Sequence, residues 1–410
     1  VKYVRCFKLQ IILQERRIKM KNEKFKAIAV NVYAGGFSLG VKGSGIDVIA
    51  HFEDEKPYGE EVINMNRGNI WGALPIIPYH TKWQNCPDID LFFSNPPCAP
   101  FSNANTNSFN GGWKNDKRLS CWDRIVNWGI LNRPKIIVIE TTIQAYSKAP
   151  DFLMEVSKKF INIGFGVTIF LNNACYFGSA QNRPRILLIA SPFKLNFKEY
   201  FSTPSVSTGI LFNFFSEELS NIPKDKDYPF PVNPKLVNLL KEIKPGERMA
   251  ATFNRLTPIE DRIINSKGQV KGRPTFGIVK LHPDKLSSVI VGYPLVHPWH
   301  QRFLTLKEYQ LLGDFPLDYN FPLAVKSNSY IARGVSSKVG NWLGSMAKMT
   351  LRNRMSVRMP CVEIVNGLHG YKNQKSYDIV NGDIAKMTSQ VPKLSLRSSS
   401  IVNLPIDEVF

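Results

Sequence analysis

An α/β fold built on a doubly wound, Rossmann-like sheet is predicted by three observations. Strand-sized apolar runs alternate with segments of helical length, a glycine-rich turn follows the first of them, and no apolar run reaches the roughly 18 residues of a membrane span. "KAIAVNVYAGGFSLGVKGSGIDVIAHFED", from Lys26 to Asp54, reads as strand, glycine turn, helix and a second strand ending in acids. Further strands are predicted at "IDLFFS" (89–94), "PKIIVIE" (134–140), "GVTIFLN" (166–172) and "RILLIA" (185–190). Helical patterns fall between them at "LSCWDRIVNWGILN" and "DFLMEVSKKFIN".

After Ala190 the chain becomes rich in Pro, Ser and aromatic residues with no clean period, which marks a second, smaller domain. The predicted organisation is an arm over 1–24, a first domain over 25–193, the smaller domain over 194–300, a return to the first domain over 301–353, and a basic extension over 354–410 to which no function attaches. The return carries amphipathic helices in "RFLTLKEYQLLGDFPLDYNF" and "VSSKVGNWLGSMAKMTLRN". Val1 in first place, with Met20 just before the first strand, marks the opening residues as upstream sequence or a dispensable arm. N-terminal sequencing of the native protein checks this.

Composition narrows the function classes. The chain has 410 residues, of which 53 are Lys or Arg and 33 Asp or Glu, a formal charge of +20. Such an excess attracts a polyanion, and nucleic acid is the expected partner. The six cysteines form no CxxC or Cys/His cluster, so neither a disulfide framework nor a metal site is expected. The start lacks the pattern of a secretory signal, so a cytoplasmic location is expected, with no membrane partner.

Two groups of residues carry chemistry. Gly35, Gly36 and Gly40 in the first turn let backbone approach a ligand, and Glu53, ending the second strand, is placed to hold ribose hydroxyls. Tight α/β turns need glycine in any case. In "LFFSNPPCAPFSNANTNSFNGGW", Cys98 follows a strand end, where open α/β sheets present reactive groups. Pro96, Pro97 and Pro100 stiffen the segment, and the small polar residues beyond it have the character of a lid. Glu140 ends the next strand, and Arg183 and Arg185 follow in "YFGSAQNRPR", so thiol, carboxylate and guanidiniums can meet at one edge.

Taken in order, "VYAGGFSLG", "PPCAPFSN", "IVIETT", "AQNRPR" and "HPWHQRFLTLKEYQLLGDFP" resemble the DNA cytosine-5 methyltransferases, over roughly residues 27–193 and 280–346. The resemblance implies a Rossmann-like S-adenosylmethionine-dependent fold with an inserted target-recognition domain, acting as a monomer on double-stranded DNA. It implies a bacterial enzyme of the restriction-modification kind, with a phage or orphan origin equally open. It makes Cys98 the nucleophile that adds to carbon 6 of a flipped cytosine, Glu140 the partner of the ring nitrogen and amine, Arg183 the partner of the ring carbonyl, and Arg185 their support. The donor S-adenosyl-L-methionine would meet Tyr33, Ala34, Gly35, Gly36, Glu53, Asn69, Ile70, Pro96 and Arg333, and the segment Ser102 to Trp113 would close over the base.

Three departures stand out. The turn "YAGGFSLG" is about two residues short, and Asn31 and Asn69 stand where the family has acids. One registration of "ARGVSSKVGNWLG" puts Arg333 in place of an asparagine beside the donor's methionine portion and keeps the following helix in phase. Another aligns Gly334 with the family glycine and makes Val335 the substitute. Arg333 about 4 Å from a sulfonium would be unfavourable by about 1 kcal/mol in water and about 4 kcal/mol at an effective dielectric near 20. A donor bearing a carboxylate, carboxy-S-adenosyl-L-methionine, would offset this and make the enzyme a cytosine carboxymethyltransferase; alternatively Arg333 faces solvent or phosphate. An RNA cytosine methyltransferase and a non-catalytic DNA-binding relic are the other readings.

Overall fold

The computed structural model describes residues 24–366, apart from 32, 54–58, 79–87, 103–104, 106–111, 196, 198–204, 220–227, 231–235, 267–268, 272, 274–276, 323–326, 354–357 and 359, together with 402–404. Nearly all of the expected arm, most of the extension and most of the expected lid lie outside these residues.

The first half of the chain runs β1 (Lys26–Val30), α1 (Gly36–Gly43), β2 (Asp47–Glu53), α2 (Glu60–Met65), β3 (Ile76–Pro78), β4 (Leu91–Ser94), α3 (Leu119–Asn132), β5 (Ile136–Thr142), α4 (Gln144–Lys148), α5 (Pro150–Ile161), β6 (Gly166–Asn173) and β7 (Pro184–Ser191). After it come α6 (Thr208–Phe214), α7 (Ser216–Leu219), α8 (Val237–Glu242), α9 (Met249–Leu256), β8 (Val279–Lys280), β9 (Leu295–Val296), α10 (Leu306–Leu312), α11 (Ser327–Arg333), α12 (Ser337–Arg352), β10 (Val362–Asn366) and β11 (Val402–Leu404).

Nine strands form one sheet in the order β11-β10-β6-β7-β5-β4-β1-β2-β3. Every residue of β4, β5 and β6 is buried, which is why these strands read as unbroken apolar runs rather than alternating ones. Most neighbours are parallel, as expected, but β7 runs antiparallel to both β5 and β6. Only residues 174–183 separate β6 from β7, and a parallel return needs a crossover of a dozen or more residues. The sheet turns outward in both directions from the β1/β4 pair, so the topological switch point lies at the carboxyl ends of those two strands.

Helix α12 closes the sheet domain by packing on α1, and it buries Trp342, Leu343, Met346 and Ala347. Leu343 and Met346, both fully buried, stabilise by about 1.5–3 kcal/mol each. The long helical pattern over 302–321 contracts to α10, because Gly313 and Asp314 (φ 61°) leave the helical conformation and Pro316 follows. Its start is fixed by a capping box in which Thr305 and Glu308 satisfy each other's backbone N–H. The segment 236–303 has a small core of its own, formed by Leu239, Leu240, Ile243, Met249, Ile278, Val296 and Phe303.

Beyond residue 354 the chain contributes the two strands at one side of the sheet, with β10 pairing parallel to β6 and β11 outermost. Arg358 fastens this edge: its guanidinium donates to Thr168 Oγ1 at 2.8 Å and Val167 O at 3.1 Å and pairs with Glu363 at 2.7 Å. Gly166 leaves the room for it, since a Cβ there would meet Arg358 Cδ at 2.5 Å. The Arg358→Ala variant is expected to lose about 3 kcal/mol in urea unfolding, because Glu363 and the Val167 carbonyl lose their shared partner.

Candidate active site

The glycine turn after β1 winds through left-handed backbone at Asn31 (φ 53°), Tyr33 (φ 52°) and Gly35 (φ 83°). Its glycines serve packing. A Cβ on Gly35 would meet Ile63 at 2.8 Å and the Tyr319 hydroxyl at 2.9 Å, and one on Gly36 would strike the Val335 carbonyl. Tyr319 also donates to Ala34 O at 2.6 Å.

The position of Cys98 is set by a turn and an aromatic anchor. Phe101 N–H donates to Cys98 O at 3.1 Å, closing the turn, and the Phe101 ring is fully buried among Trp113, Trp122 and Phe152. Cys98 itself is partly exposed. It opens on a cavity of about 340 Å³, within the usual range for ligand sites, lined by Asn31, Tyr33, Glu53, Asn95, Cys98, Glu140, Arg183, Arg185 and Arg333 among others. Ends of β1, β2, β4 and β5, the start of β7 and the end of α11 thus meet at the switch point.

Of the residues expected from sequence, Cys98, Glu140, Arg183, Arg185, Tyr33, Glu53 and Arg333 line this cavity. Ala34, Gly35, Gly36, Asn69, Ile70 and Pro96 do not. Ala34 and Pro96 are buried beside it, while Asn69 is exposed on a π-helical turn, Arg67–Trp71, that presents the Ile70 carbonyl to Lys42 Nζ at 2.5 Å. Pro97, Asn95, Ala99, Arg118 and Ala332 line the cavity as well. Arg118 forms a double hydrogen bond with Asp116, at 2.8 and 2.6 Å, which holds the Asp116 carboxyl below its usual range. The Asp116/Arg118 spacing in "NDKRLS" was the available signal.

Burial raises the Glu140 carboxyl above its ordinary range, against the opposing pull of Arg185 and then Arg183. Arg185 Nε stands 3.0 Å from Glu140 Oε1, an ion pair without the alignment of a hydrogen bond, so that buried oxygen keeps an acceptor site unfilled. Burial, followed by the charge of Arg185, lowers Arg183 to about 9. Burial, and next the Cys98 charge, raises the Tyr33 hydroxyl well above its ordinary value. A carboxyl that tends to hold its proton, flanked by two guanidiniums and a thiol, can grip a neutral heterocycle by its polar edge while the thiol attacks the ring.

Glu53, buried at the end of β2, and Tyr33 line the same cavity. A carboxylate at a strand end suits ribose hydroxyls, so these residues fit an adenosyl donor. Among the described residues there is no group of three or more His, Cys, Asp or Glu placed to hold a metal, and no helix is long and apolar enough to cross a membrane.

Sheet order, switch-point cavity and paired thiol and carboxyl define a Rossmann-like S-adenosylmethionine-dependent methyltransferase fold. The chain belongs to the C-5 cytosine-specific DNA methylase family, which it matches over residues 25–339. It is 26% identical over 245 residues to type II methyltransferase M.HgiBI of Herpetosiphon aurantiacus, covering 58% of this chain and 51% of that protein. It is 30% identical over 178 residues to type II methyltransferase M.HindV of Haemophilus influenzae, covering 42% of this chain and 54% of that one. The chain thus spans about half the length of these two relatives. Among solved structures, the Entamoeba histolytica methyltransferase EhMeth shares the fold, with a TM-score of 0.53 and 14% identity over 80% of this chain and 99% of that one.

Proposed function

We propose that this protein transfers a methyl group from S-adenosylmethionine to carbon 5 of a cytosine in double-stranded DNA, acting as a monomer. The observation that carries this reading is the single cavity joining Cys98, Glu140, Arg183 and Arg185 to Tyr33 and Glu53. Carbon 5 of cytosine is a poor nucleophile. Addition of the Cys98 thiolate to carbon 6 forms a C–S bond and moves the ring electrons toward carbon 5. Glu140 donates its proton to the ring nitrogen and accepts from the exocyclic amine with its unfilled oxygen, so charge gained by the ring is met by a proton at once. Arg183 binds the ring carbonyl, and Arg185 keeps Glu140 oriented. When bound, the donor supplies an electrophilic methyl carbon on a sulfonium. Loss of the carbon 5 proton to water then expels Cys98 as its thiolate, and the ring nitrogen returns its proton to Glu140, which restores the ring.

The target carbon is stacked inside the duplex, so the base must leave the helix to reach Cys98. The domain over 194–300 is assigned to reading the surrounding sequence. Glu140→Gln keeps a donor and an acceptor but has no proton to give. It is expected to lower the transfer rate by about 10²–10⁴-fold while leaving DNA affinity within a few-fold, measured by single-turnover kinetics. Because burial raises the Glu140 carboxyl, the protonated fraction, and with it the wild-type rate, falls as pH rises through that raised value; the Gln variant lacks this alkaline limb.

A second reading rests on Arg333, which lines the same cavity: a donor bearing a carboxylate would pair with it. Mass spectrometry of nucleosides from DNA treated with either donor separates the two. 5-Methylcytosine from S-adenosylmethionine supports the first reading, a carboxymethyl adduct from carboxy-S-adenosylmethionine alone supports the second, and no product from either overturns both.

A further inference from the structure

Three consecutive backbone carbonyls at the end of α11 are each held by a side chain from the sheet. Arg183 donates to Ala332 O at 3.1 Å and to Gly334 O at 2.8 Å, and between them Asn95 Nδ2 donates to Arg333 O at 2.9 Å. Carbonyls at a helix end lack intrahelical partners, so these donors fill a need the helix cannot meet. Both are buried, Asn95 to 4% exposure and Arg183 to 5%. Both are also fixed from behind: Asn95 N–H donates to Val30 O at 3.1 Å, and Arg183 N–H donates to Asn173 Oδ1 at 2.8 Å.

The two fastening points come from the segments that carry the chemistry. Asn95 lies three residues before Cys98, and Arg183 opens the approach to β7. The segment they hold carries Arg333, whose side chain lines the cavity together with Tyr33 and Glu53. The backbone of Arg333 is therefore pinned to the end of β4, and its guanidinium is presented to the cavity from a set origin.

We propose that Asn95 is a positioning residue: with Arg183 it forms a carbonyl latch that sets the placement of Arg333 and couples the half of the cavity around Cys98 to the half that holds the donor. The proposal rests on the methyl-transfer reading above and adds to it that the carboxylate at the donor's methionine end meets the Arg333 guanidinium. Asparagine suits the task because it is short, neutral and a donor. Aspartate at this place would offer only acceptors to the Arg333 carbonyl, and alanine would leave that carbonyl without its partner.

The test uses the full chain, S-adenosylmethionine as the probe, and the variants Asn95→Ala, Asn95→Asp, Arg333→Ala and Asn95→Ala/Arg333→Ala. Calorimetry is expected to give a donor Kd raised about tenfold by Asn95→Ala, more by Asn95→Asp, and no further by Asn95→Ala once Arg333 is already Ala. Hydrogen exchange without donor is expected to quicken over residues 331–336 in Asn95→Ala while the amides of β1 and β4 keep their protection. Additive effects in the double variant, an unchanged Kd, or loss of protection spread through β1 and β4 would each overturn the latch in favour of a merely structural asparagine. The two failures separate cleanly. A wild-type chain that binds no S-adenosylmethionine removes the methyl-transfer reading, whereas unchanged exchange over 331–336 removes the latch by itself.

Discussion

Replacing Cys98 with serine is expected to lower methyl transfer on the order of 10⁴-fold or more while leaving DNA affinity within a few-fold. The loss is large because the ring gains nucleophilic character at carbon 5 only after addition at carbon 6. A thiol is a few per cent ionised near neutrality, whereas a hydroxyl is essentially never so. The affinity is kept because the arginines that line the cavity are untouched. DNA carrying 5-fluorocytosine, with S-adenosylmethionine present, gives a direct check. Once carbon 5 is methylated, fluorine cannot leave it as a proton does, so the wild-type protein should remain bonded to such DNA through Cys98 under denaturing conditions, and the serine variant should not. Transfer that survived the substitution would remove Cys98 from the mechanism.

An effect on folding as large as that of Arg358→Ala is expected where two helices meet away from the cavity. At Gly40, where α1 meets α12, an added Cβ would strike the Ser337 carbonyl and approach Asn341 N at 2.6 Å and Gly340 Cα at 2.8 Å. All three are backbone atoms of the facing helix, so no side chain can swing aside. Gly40→Ala should therefore force the helices apart and cost about 3 kcal/mol, at the upper end for overpacking, in urea unfolding. Gly43→Ala is the control on the same helix, since the atom nearest to its added Cβ is Asn341 Nδ2 at 4.0 Å. It should change stability by less than about 1 kcal/mol. Equal losses from both would refute close backbone contact as the cause.

Much of the sheet was legible because burial on both faces writes itself as apolar runs, and Leu119–Asn132 coincides with its predicted helix. Strand direction was not, since periodicity carries no sense of direction; the ten residues between β6 and β7 were the clue to the antiparallel turn. β10 was hidden because its place depends on Arg358 reaching back to Val167 and Thr168, about 190 residues earlier. At the cavity, Cys98, Glu140 and Arg183 could be anticipated because strand ends converge by topology. Asn95 could not, because its meaning lies in a carbonyl 238 residues away. The donor turn is a different case: its glycines read as a cradle for a ligand, and the structure adds a packing reason for them, since a Cβ on Gly35 or Gly36 would meet Ile63, Tyr319 or Val335.

The close meeting of Gly40 and Gly340 also sets a clock for the newborn chain. Three hundred residues separate the two glycines, so at about 5–20 residues per second a ribosome needs roughly 15–60 s to deliver the second after the first. Throughout that interval the apolar face of α1 that receives α12 waits without its cover. Translation speed and chaperone supply, rather than final stability alone, should then govern how much intact protein a cell obtains. Moving the α12 segment ahead of β1 by circular permutation would shorten the wait.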